Sequence, residues 1–357
     1  MKNVKRRKTR AVRYGDVGVG GGFPITIQSM TTARTADARA VMREIRALAR
    51  AGCELVRVAV KDRADVEALS AVCARSPIPV IADVHFDYRL AVASAAAGAA
   101  GLRINPGNIG GADKVRRVVD AAAAAAIPIR IGVNSGSIER DLRSLARIDP
   151  AGALCESAAR SRDLVERMGF RELVFSLKSP DAMVTVEANR AFAAGNDYPL
   201  HIGVTEAGPP LSGAAKSAVA LALLLREGIG DTVRVSLSGD PVREVTVAAA
   251  VLSALGLRAD ITRIVSCPTC GRSHIDVSKI AARLERDIIG LHMGGTVAVM
   301  GCEVNGPGEA KDADIGLAGS CGGAILFEKG RVVRSLKGNI AEEFIFEVRD
   351  FLRNRGD

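Results

Sequence analysis

Residues 80–104 read VIADVHFDYRLAVASAAAGAAGLRI, and this stretch decides the fold. The runs at 80–83 and 101–104 are short, apolar-rich and do not alternate, as expected of strands covered on both faces. Between them, 87–97 is alanine-rich and too long for a strand. Asp87 stands where a carboxylate caps a helix start, and Gly98 stands where a glycine ends one. Strand, helix and strand this close together form a βαβ unit, so the two strands are parallel.

The same pattern extends in both directions. Strand-like runs occur at 25–28, 55–60, 80–83, 101–104, 129–133, 173–177, 200–204 and 232–236. Helical segments follow them at 37–51, 64–74, 87–97, 113–126, 152–168, 181–194, 213–227 and 242–255. Asp37, Asp113 and Asp181 repeat the role of Asp87, and Gly52, Gly169 and Gly228 that of Gly98. Eight such units predict an α/β fold, a TIM (β/α)8 barrel; a doubly wound sheet would alternate likewise but usually with fewer strands. Beyond residue 257 the pattern changes to a small α+β domain with a helix at 276–289, a strand at 296–300, short strands near Ile315, Ile325 and Val332, and a terminal helix. The expected organisation is a basic arm and lead-in at 1–20, the barrel at 21–257 and the small domain at 258–357.

The 357 residues are 48% apolar and 25% charged, a globular composition with material for a sizeable core. The longest charge-free apolar candidate, 245–257, is shorter than the ~18 residues of a membrane span and holds Thr246, Ser253 and Gly256. No membrane-spanning segment is expected. Of the 49 basic residues behind the net charge of +9, six crowd into the arm (Lys2, Lys5, Arg6, Arg7, Lys8, Arg10), and the rest nearly balance the 40 acidic ones. With no Trp, three Tyr and nine Phe, there is little surface to stack unpaired bases, so nucleic-acid binding is not expected and the arm reads as solvated. The arm also lacks the apolar core of a secretory signal. Together with an odd seven cysteines this points to a cytoplasmic chain without a disulfide framework. Cys53, Cys73 and Cys155 read as inert thiols among aliphatics.

A barrel binds its ligand at the C-terminal ends of the strands. Arg57, Arg103, Arg130, Lys178 and Arg234 fall there, with Asn105, Asn134 and Ser236 beside them. Gln28, Ser29, Asp83, His85, Thr205, Glu206 and Ser238 share the same rim. Inward cations repel one another unless an anion joins them, and guanidinium forks match phosphate oxygens. The expected ligand is phosphorylated or diphosphorylated. His85 and His201 have no second histidine at ligand spacing, so no zinc site is expected in the barrel.

In the small domain, Cys267-Pro-Thr-Cys270 is followed by Cys302 and then, across a Gly-Pro-Gly turn, by Glu309. A zinc ribbon would ordinarily supply a second CxxC or a histidine pair. Three thiolates and a carboxylate suit an iron–sulfur cluster with one distinctive iron; zinc and free thiols stay open on spacing alone, as does the role of Cys321.

Long motifs now carry a resemblance. QSMT (28–31), ADVHFDYR (82–89), LRINPGNI (102–109), IRIGVN (129–134), GVTEAG (203–208), EGIGDTVR (227–234), SCPTC (266–270) and GCEVNGPGE (301–309) follow in order over nearly the whole chain. The chain resembles the 4-hydroxy-3-methylbut-2-en-1-yl diphosphate synthase family of the non-mevalonate isoprenoid pathway, in its two-domain bacterial form. The resemblance implies a [4Fe–4S] cluster held by Cys267, Cys270, Cys302 and, at the fourth iron, the exchangeable Glu309, with Cys321 a bystander. It implies 2-C-methyl-D-erythritol 2,4-cyclodiphosphate as substrate, opened and reductively dehydroxylated to the hydroxymethylbutenyl diphosphate and water. The two electrons would come from flavodoxin or ferredoxin. Arg57, Arg103, Asn105, Arg130, Asn134, Lys178, Arg234 and Ser236 would hold the cyclic diphosphate. Glu206 would deliver a proton or hold a substrate hydroxyl or an arginine.

A homodimer with shared active sites is also expected. The last barrel helix runs back about 20 Å from the mouth, which leaves the cluster domain better placed to cap a partner's barrel, as in relatives of this family. Two other classes would fit the bare pattern: an aldolase-like or pterin-binding-type barrel with a structural zinc module, and an RNA-modifying barrel using zinc and the basic arm.

Overall fold

The computed structural model describes residues 4–304, 306, 308 and 310–354. The chain divides between Val251 and Leu252 into two compact units.

The first unit opens with an antiparallel hairpin, β1 (Ala11–Tyr14) and β2 (Val17–Gly20). Eight parallel strands follow: β3 (Thr26–Met30), β4 (Leu55–Ala59), β5 (Val80–Asp83), β6 (Gly101–Ile104), β7 (Ile129–Asn134), β8 (Leu173–Lys178), β9 (His201–Ile202) and β10 (Thr232–Val233). They pair in the order β8-β7-β6-β5-β4-β3-β10-β9, and a bridge between Phe175 and Leu200 closes the ring. The helices are α1 (Ala38–Arg50), α2 (Arg63–Arg75), α3 (Tyr88–Ala96), the single turn α4 (Pro106–Ile109), α5 (Ala112–Ala124), α6 (Arg143–Ile148), α7 (Pro150–Arg167), α8 (Ala182–Ala194), α9 (Pro210–Arg226) and α10 (Pro241–Ala254). The expected TIM barrel is therefore present. Asp37, Asp87 and Asp181 accept backbone N–H groups at the starts of α1, α3 and α8, and Asp113 lies in the first turn of α5. Gly98 ends α3 at φ +90°, a conformation that a side chain would resist.

A TIM barrel is usually filled with layers of branched apolar side chains. Here only the N-terminal end is filled that way. Leu55, Ile81 and Val174 pack against Val12, Tyr14 and Val19 of the hairpin, which plugs that end. Gly101 makes room for the plug, since a Cβ there would lie 2.4 Å from the Tyr14 ring. The layers above the plug are polar.

One expectation is corrected. Three residues of the basic arm, Arg6, Arg7 and Arg10, are docked and not solvated; Lys5 and Lys8 are exposed, and Lys2 lies outside the described residues. Arg6 pairs with the buried Asp231 at 2.9 Å, and Arg10 pairs with Asp197 at 2.7 Å while lying over the Tyr198 ring. Arg7 donates to the carbonyls of Ala193, Asn196 and Tyr198. The end of α8 leaves carbonyls without helical partners, and a guanidinium fork reaches several of them at once.

The second unit contains β11 (Arg263–Ser266), α11 (Val277–Ile288), β12 (Thr296–Met300), β13 (Ile315–Ser320), β14 (Gly323–Glu328), β15 (Arg331–Leu336) and α12 (Ile340–Arg353). Its sheet runs β11-β12-β13-β14-β15, with the first three strands parallel and the last two added antiparallel. Leu284, Ile288, Phe344 and Val348 of the helices bury against Val297, Val299, Leu317 and Leu326 of the sheet. Among the described residues, no helix is long and apolar enough to cross a membrane.

Candidate active site

Alternation along each strand turns Gln28, Arg57, Asp83, Arg103, Arg130, Lys178 and Arg234 to one side of the ring, the interior. The Arg130 Nη1 donates to Gln28 Oε1 at 2.7 Å, although β7 and β3 stand four places apart in the eight-strand ring. That bond crosses the lumen.

Two carboxylates hold the cations. Asp83, 3% exposed, accepts Arg57 Nε at 3.2 Å and Arg103 Nη1 at 3.1 Å, with His85 Nε2 at 3.4 Å. Burial would raise its pKa, but Arg57, the His85 hydrogen bond and Arg103 overcome that and hold it far below the usual carboxylate range. Glu244, in the first turn of α10, takes Arg234 in a fork at 3.1 and 3.3 Å. It also accepts Ser29 Oγ at 2.9 Å and the Leu237 N–H at 3.1 Å. Gly132 gives Arg103 its channel: a Cβ there would fall 2.4 Å from Arg103 Nε.

Five cations thus face two carboxylates. The remainder is poorly compensated. Arg130 is 1% exposed, and its Nε and Nη2, like Arg103 Nε, are buried with no partner among the described residues. Lys178 is buried, and desolvation followed by Arg130, Arg234, Arg57 and Arg103 pushes its pKa well below the ordinary lysine value. His201, buried beside Thr232, is kept neutral by desolvation and by Lys178. Unsatisfied guanidinium N–H groups and a mutually repelling set of cations make a cradle for a compact polyanion.

Asn105 is buried, caps α4 by accepting the Gly107 N–H at 3.1 Å and reaches Ser137 Oγ at 3.4 Å. Asn134, which pairs with Lys178 across β7 and β8, and Ser236 are half-buried. Glu206 is exposed at φ +50°, a left-handed backbone costing a non-glycine residue roughly 1–2 kcal/mol. Glu244 went unremarked in the sequence, because a glutamate in a first helical turn has a sufficient local explanation in the helix dipole. Asp83 was visible there, but its ion pairs were not.

In the second unit, Cys267 and Cys302 follow β11 and β12, two neighbouring parallel strands, at the same sheet end. The Cys267 Sγ accepts the Gly301 N–H at 3.1 Å, and Cys302 is 6% exposed. Gly301 and Gly319 let three chain segments close here: a Cβ on Gly319 would lie 2.4 Å from the Gly301 carbonyl oxygen. Cys270 is exposed in the adjoining turn, and Cys321 is exposed between β13 and β14. Glu309 lies outside the described residues. Among the described residues, no three His, Cys, Asp or Glu side chains stand together as a metal-holding group. Soft thiol donors at adjacent strand ends, one already accepting a backbone N–H, are the donor chemistry that an iron–sulfur cluster uses.

Comparison with known proteins bears on both units. Among solved structures, 3-dehydroquinate dehydratases from Clostridium difficile (TM-score 0.50, 14% identity, 69% of this chain and 98% of that one) and Geobacillus kaustophilus (0.50, 15%, 69% and 96%) share the barrel fold. The 4-hydroxy-3-methylbut-2-en-1-yl diphosphate synthase (flavodoxin) of Geobacter sulfurreducens is 50% identical over 351 residues, 98% of this chain and 99% of its own. Its namesake from Maridesulfovibrio salexigens is 49% identical over 354 residues, 99% of each chain. Residues 9–249 match the family description GcpE TIM-barrel domain and residues 263–350 match GcpE protein C-terminal domain. With both domains matched in order, the chain belongs to the GcpE family.

Proposed function

We propose that the cationic lumen binds 2-C-methyl-D-erythritol 2,4-cyclodiphosphate and that the chain reduces it to 4-hydroxy-3-methylbut-2-en-1-yl diphosphate, in isoprenoid precursor synthesis. The observation that carries this is the excess, among the described residues, of buried cations over carboxylates, with guanidinium N–H groups of Arg130 and Arg103 left there without partners. The ring opening and dehydroxylation consume two electrons and two protons, counting the phosphates as neutral acids, and release one water. A small cyclic diphosphate matches the lumen in charge. In this reading Arg130 and Lys178, which no carboxylate partners among the described residues, neutralise the diphosphate, while Asp83 and Glu244 keep Arg57, Arg103 and Arg234 aimed at it. Binding the anion raises the lowered pKa of Lys178 back toward its ordinary value and so favours its charged form. Asn105, Asn134 and Ser236 complete the cradle as neutral donors. Glu206 stands at the rim to pass a proton to the departing hydroxyl or to hold a substrate hydroxyl.

Cys267, Cys270 and Cys302, with Glu309 as the fourth ligand, would hold a [4Fe–4S] cluster. When bound, that cluster supplies low-potential electrons and a Lewis-acidic iron for the substrate oxygen. A flavodoxin, named for the relatives, would supply the electrons; ferredoxin is the alternative donor. All seven cysteines are free, which supports a reducing, cytoplasmic setting. A homodimer with shared sites remains part of the proposal. It is supported by the exposed apolar residues Phe86, Leu145, Ile148, Met183 and Leu211, all of which follow barrel strands on the mouth side or begin the next helix.

The test is to purify the protein anaerobically, assay iron and acid-labile sulfide, and follow the cyclic diphosphate with a chemical reductant. About four iron and four sulfide per chain, a brown colour and conversion to the linear diphosphate are expected. Stoichiometric zinc without sulfide would refute the cluster; a loaded protein that leaves the cyclic diphosphate intact would refute the substrate.

A further inference from the structure

The outward face of α1 carries Arg39, Arg43, Arg46 and Arg50, all exposed. They recur every three or four residues, so their guanidiniums form one stripe, and each like-charged pair at this spacing costs a helix about 0.2–0.5 kcal/mol. None of the four pairs with a carboxylate among the described residues. The acid within α1, Glu44, is turned to Thr32 and Ala33. On other barrel helices Arg63, Arg89, Arg160 and Arg190 each have a carboxylate partner, whereas Arg143, Arg147, Arg167 and Arg226 have none among the described residues; what sets α1 apart is that four such arginines share one face. Arg75, at the end of α2, is likewise exposed and unpaired. With Arg39, Arg43 and Arg46 it lines a groove of about 240 Å³ between the two helices, whose walls also include Met42 and Ala71.

We infer that this groove is where the protein electron donor docks, through an acidic face of a flavodoxin-type partner. The inference rests on the reading of the chain as a reductase fed by such a donor, and it adds where the donor binds. The stripe is about 16 Å long, too extended for one phosphate group and suited to a protein patch. Arginine is enriched at protein interfaces, and a one-signed surface steers an oppositely charged partner and favours fast encounter and release. Fast release matters because a flavodoxin hydroquinone gives up one electron and leaves as the semiquinone, so two dockings serve each substrate.

The experiment uses the cluster-loaded enzyme carrying Arg43→Glu and Arg46→Glu, assayed with reduced flavodoxin and separately with reduced methyl viologen. The expected result is at least a tenfold rise in KM for flavodoxin at low salt, a flattened salt dependence, and viologen-driven turnover equal to wild type. An unchanged flavodoxin KM and salt dependence, with full viologen turnover, would overturn the docking site alone. Loss of RNA binding in the variant with flavodoxin kinetics unchanged would also overturn it and assign the groove to nucleic acid. Should the charge reversals lower the viologen rate, Arg43→Gln and Arg46→Gln decide by the same two readouts. No turnover of the wild type with either donor would overturn the reaction reading, and the docking with it.

Discussion

Replacing Asp83 with Asn keeps the shape of the side chain and removes its charge. The carboxylate is 3% exposed and holds Arg57 and Arg103, whose side chains are 12% and 6% exposed, so solvent does little to screen the loss. Breaking a buried ion pair on one side costs about 3–5 kcal/mol. The Asn oxygen can still accept one hydrogen bond, which favours the lower end, about 3 kcal/mol. In a barrel-sized unit this lowers Tm by roughly 6–12 °C. Because Arg57 and Arg103 hold the Asp83 carboxyl below its unfolded pKa of about 4, its contribution is complete above that pH and is lost as pH falls toward the lower folded value. The gap between wild type and variant is therefore flat from about pH 5 to 8 and closes only below about pH 4. Inorganic pyrophosphate should narrow it, since an anion at 100 times its Kd adds about 2.7 kcal/mol. At a fixed concentration, the variant, with one more uncompensated cation, gains the larger share. The assay is thermal unfolding by circular dichroism across this pH range, with and without pyrophosphate. A variant within 2 °C of wild type (on the order of 0.5–1 kcal/mol), or a gap that pyrophosphate leaves untouched, would refute the account of an anion-seeking cation cluster.

Gly132→Ala should drive Arg103 from its channel, costing about 1–3 kcal/mol of stability and at least about tenfold in pyrophosphate affinity; equal affinity by calorimetry would show that Arg103 is not a ligand. An anion raises the lowered pKa of Lys178 back toward its ordinary value, so the Lys178 side chain should contribute a proton uptake to pyrophosphate binding. Calorimetry in buffers of different ionisation enthalpy measures this uptake, and Lys178→Met should abolish it. Cys302→Ser should lose cluster and turnover together, whereas Cys321→Ser should retain both on iron assay and visible absorbance. Mixing Arg130→Ala/Glu206→Gln chains with Cys302→Ser chains, each inactive alone, should restore part of the activity; verified heterodimers with none would exclude sites shared between subunits.

Much of the architecture was legible before any coordinates. The runs at 80–83 and 101–104 are strands at those residues, Asp37, Asp87 and Asp181 start α1, α3 and α8, and Gly52 and Gly98 follow α1 and α3 in the left-handed conformation that stops a helix. The order of strands and helices after residue 257 was also readable. These features depend on neighbours within one or two helical turns, and such information lies along the chain. The cations were legible as a group for a different reason: a barrel binds its ligand toward the C-terminal ends of its strands, and Arg57, Arg103, Arg130, Lys178 and Arg234 all belong to predicted strands or the residues just after them.

What lay beyond the sequence is how those cations are held. Arg57 and Arg103 share Asp83, Arg234 belongs to Glu244, and Arg130 reaches across the ring to Gln28. Nor could the sequence show that Arg6 and Arg7, which look like a solvated basic tail, are anchored to Asp231 and to the end of α8. Amphipathic period and capping are local, whereas an ion pair forms wherever folding brings opposite charges within about 4 Å, whatever the separation along the chain. The chain by itself therefore determined which elements form and that the cations gather toward the strand ends. Only the closed ring decided which of the inward charges are already neutralised and which are left for a ligand.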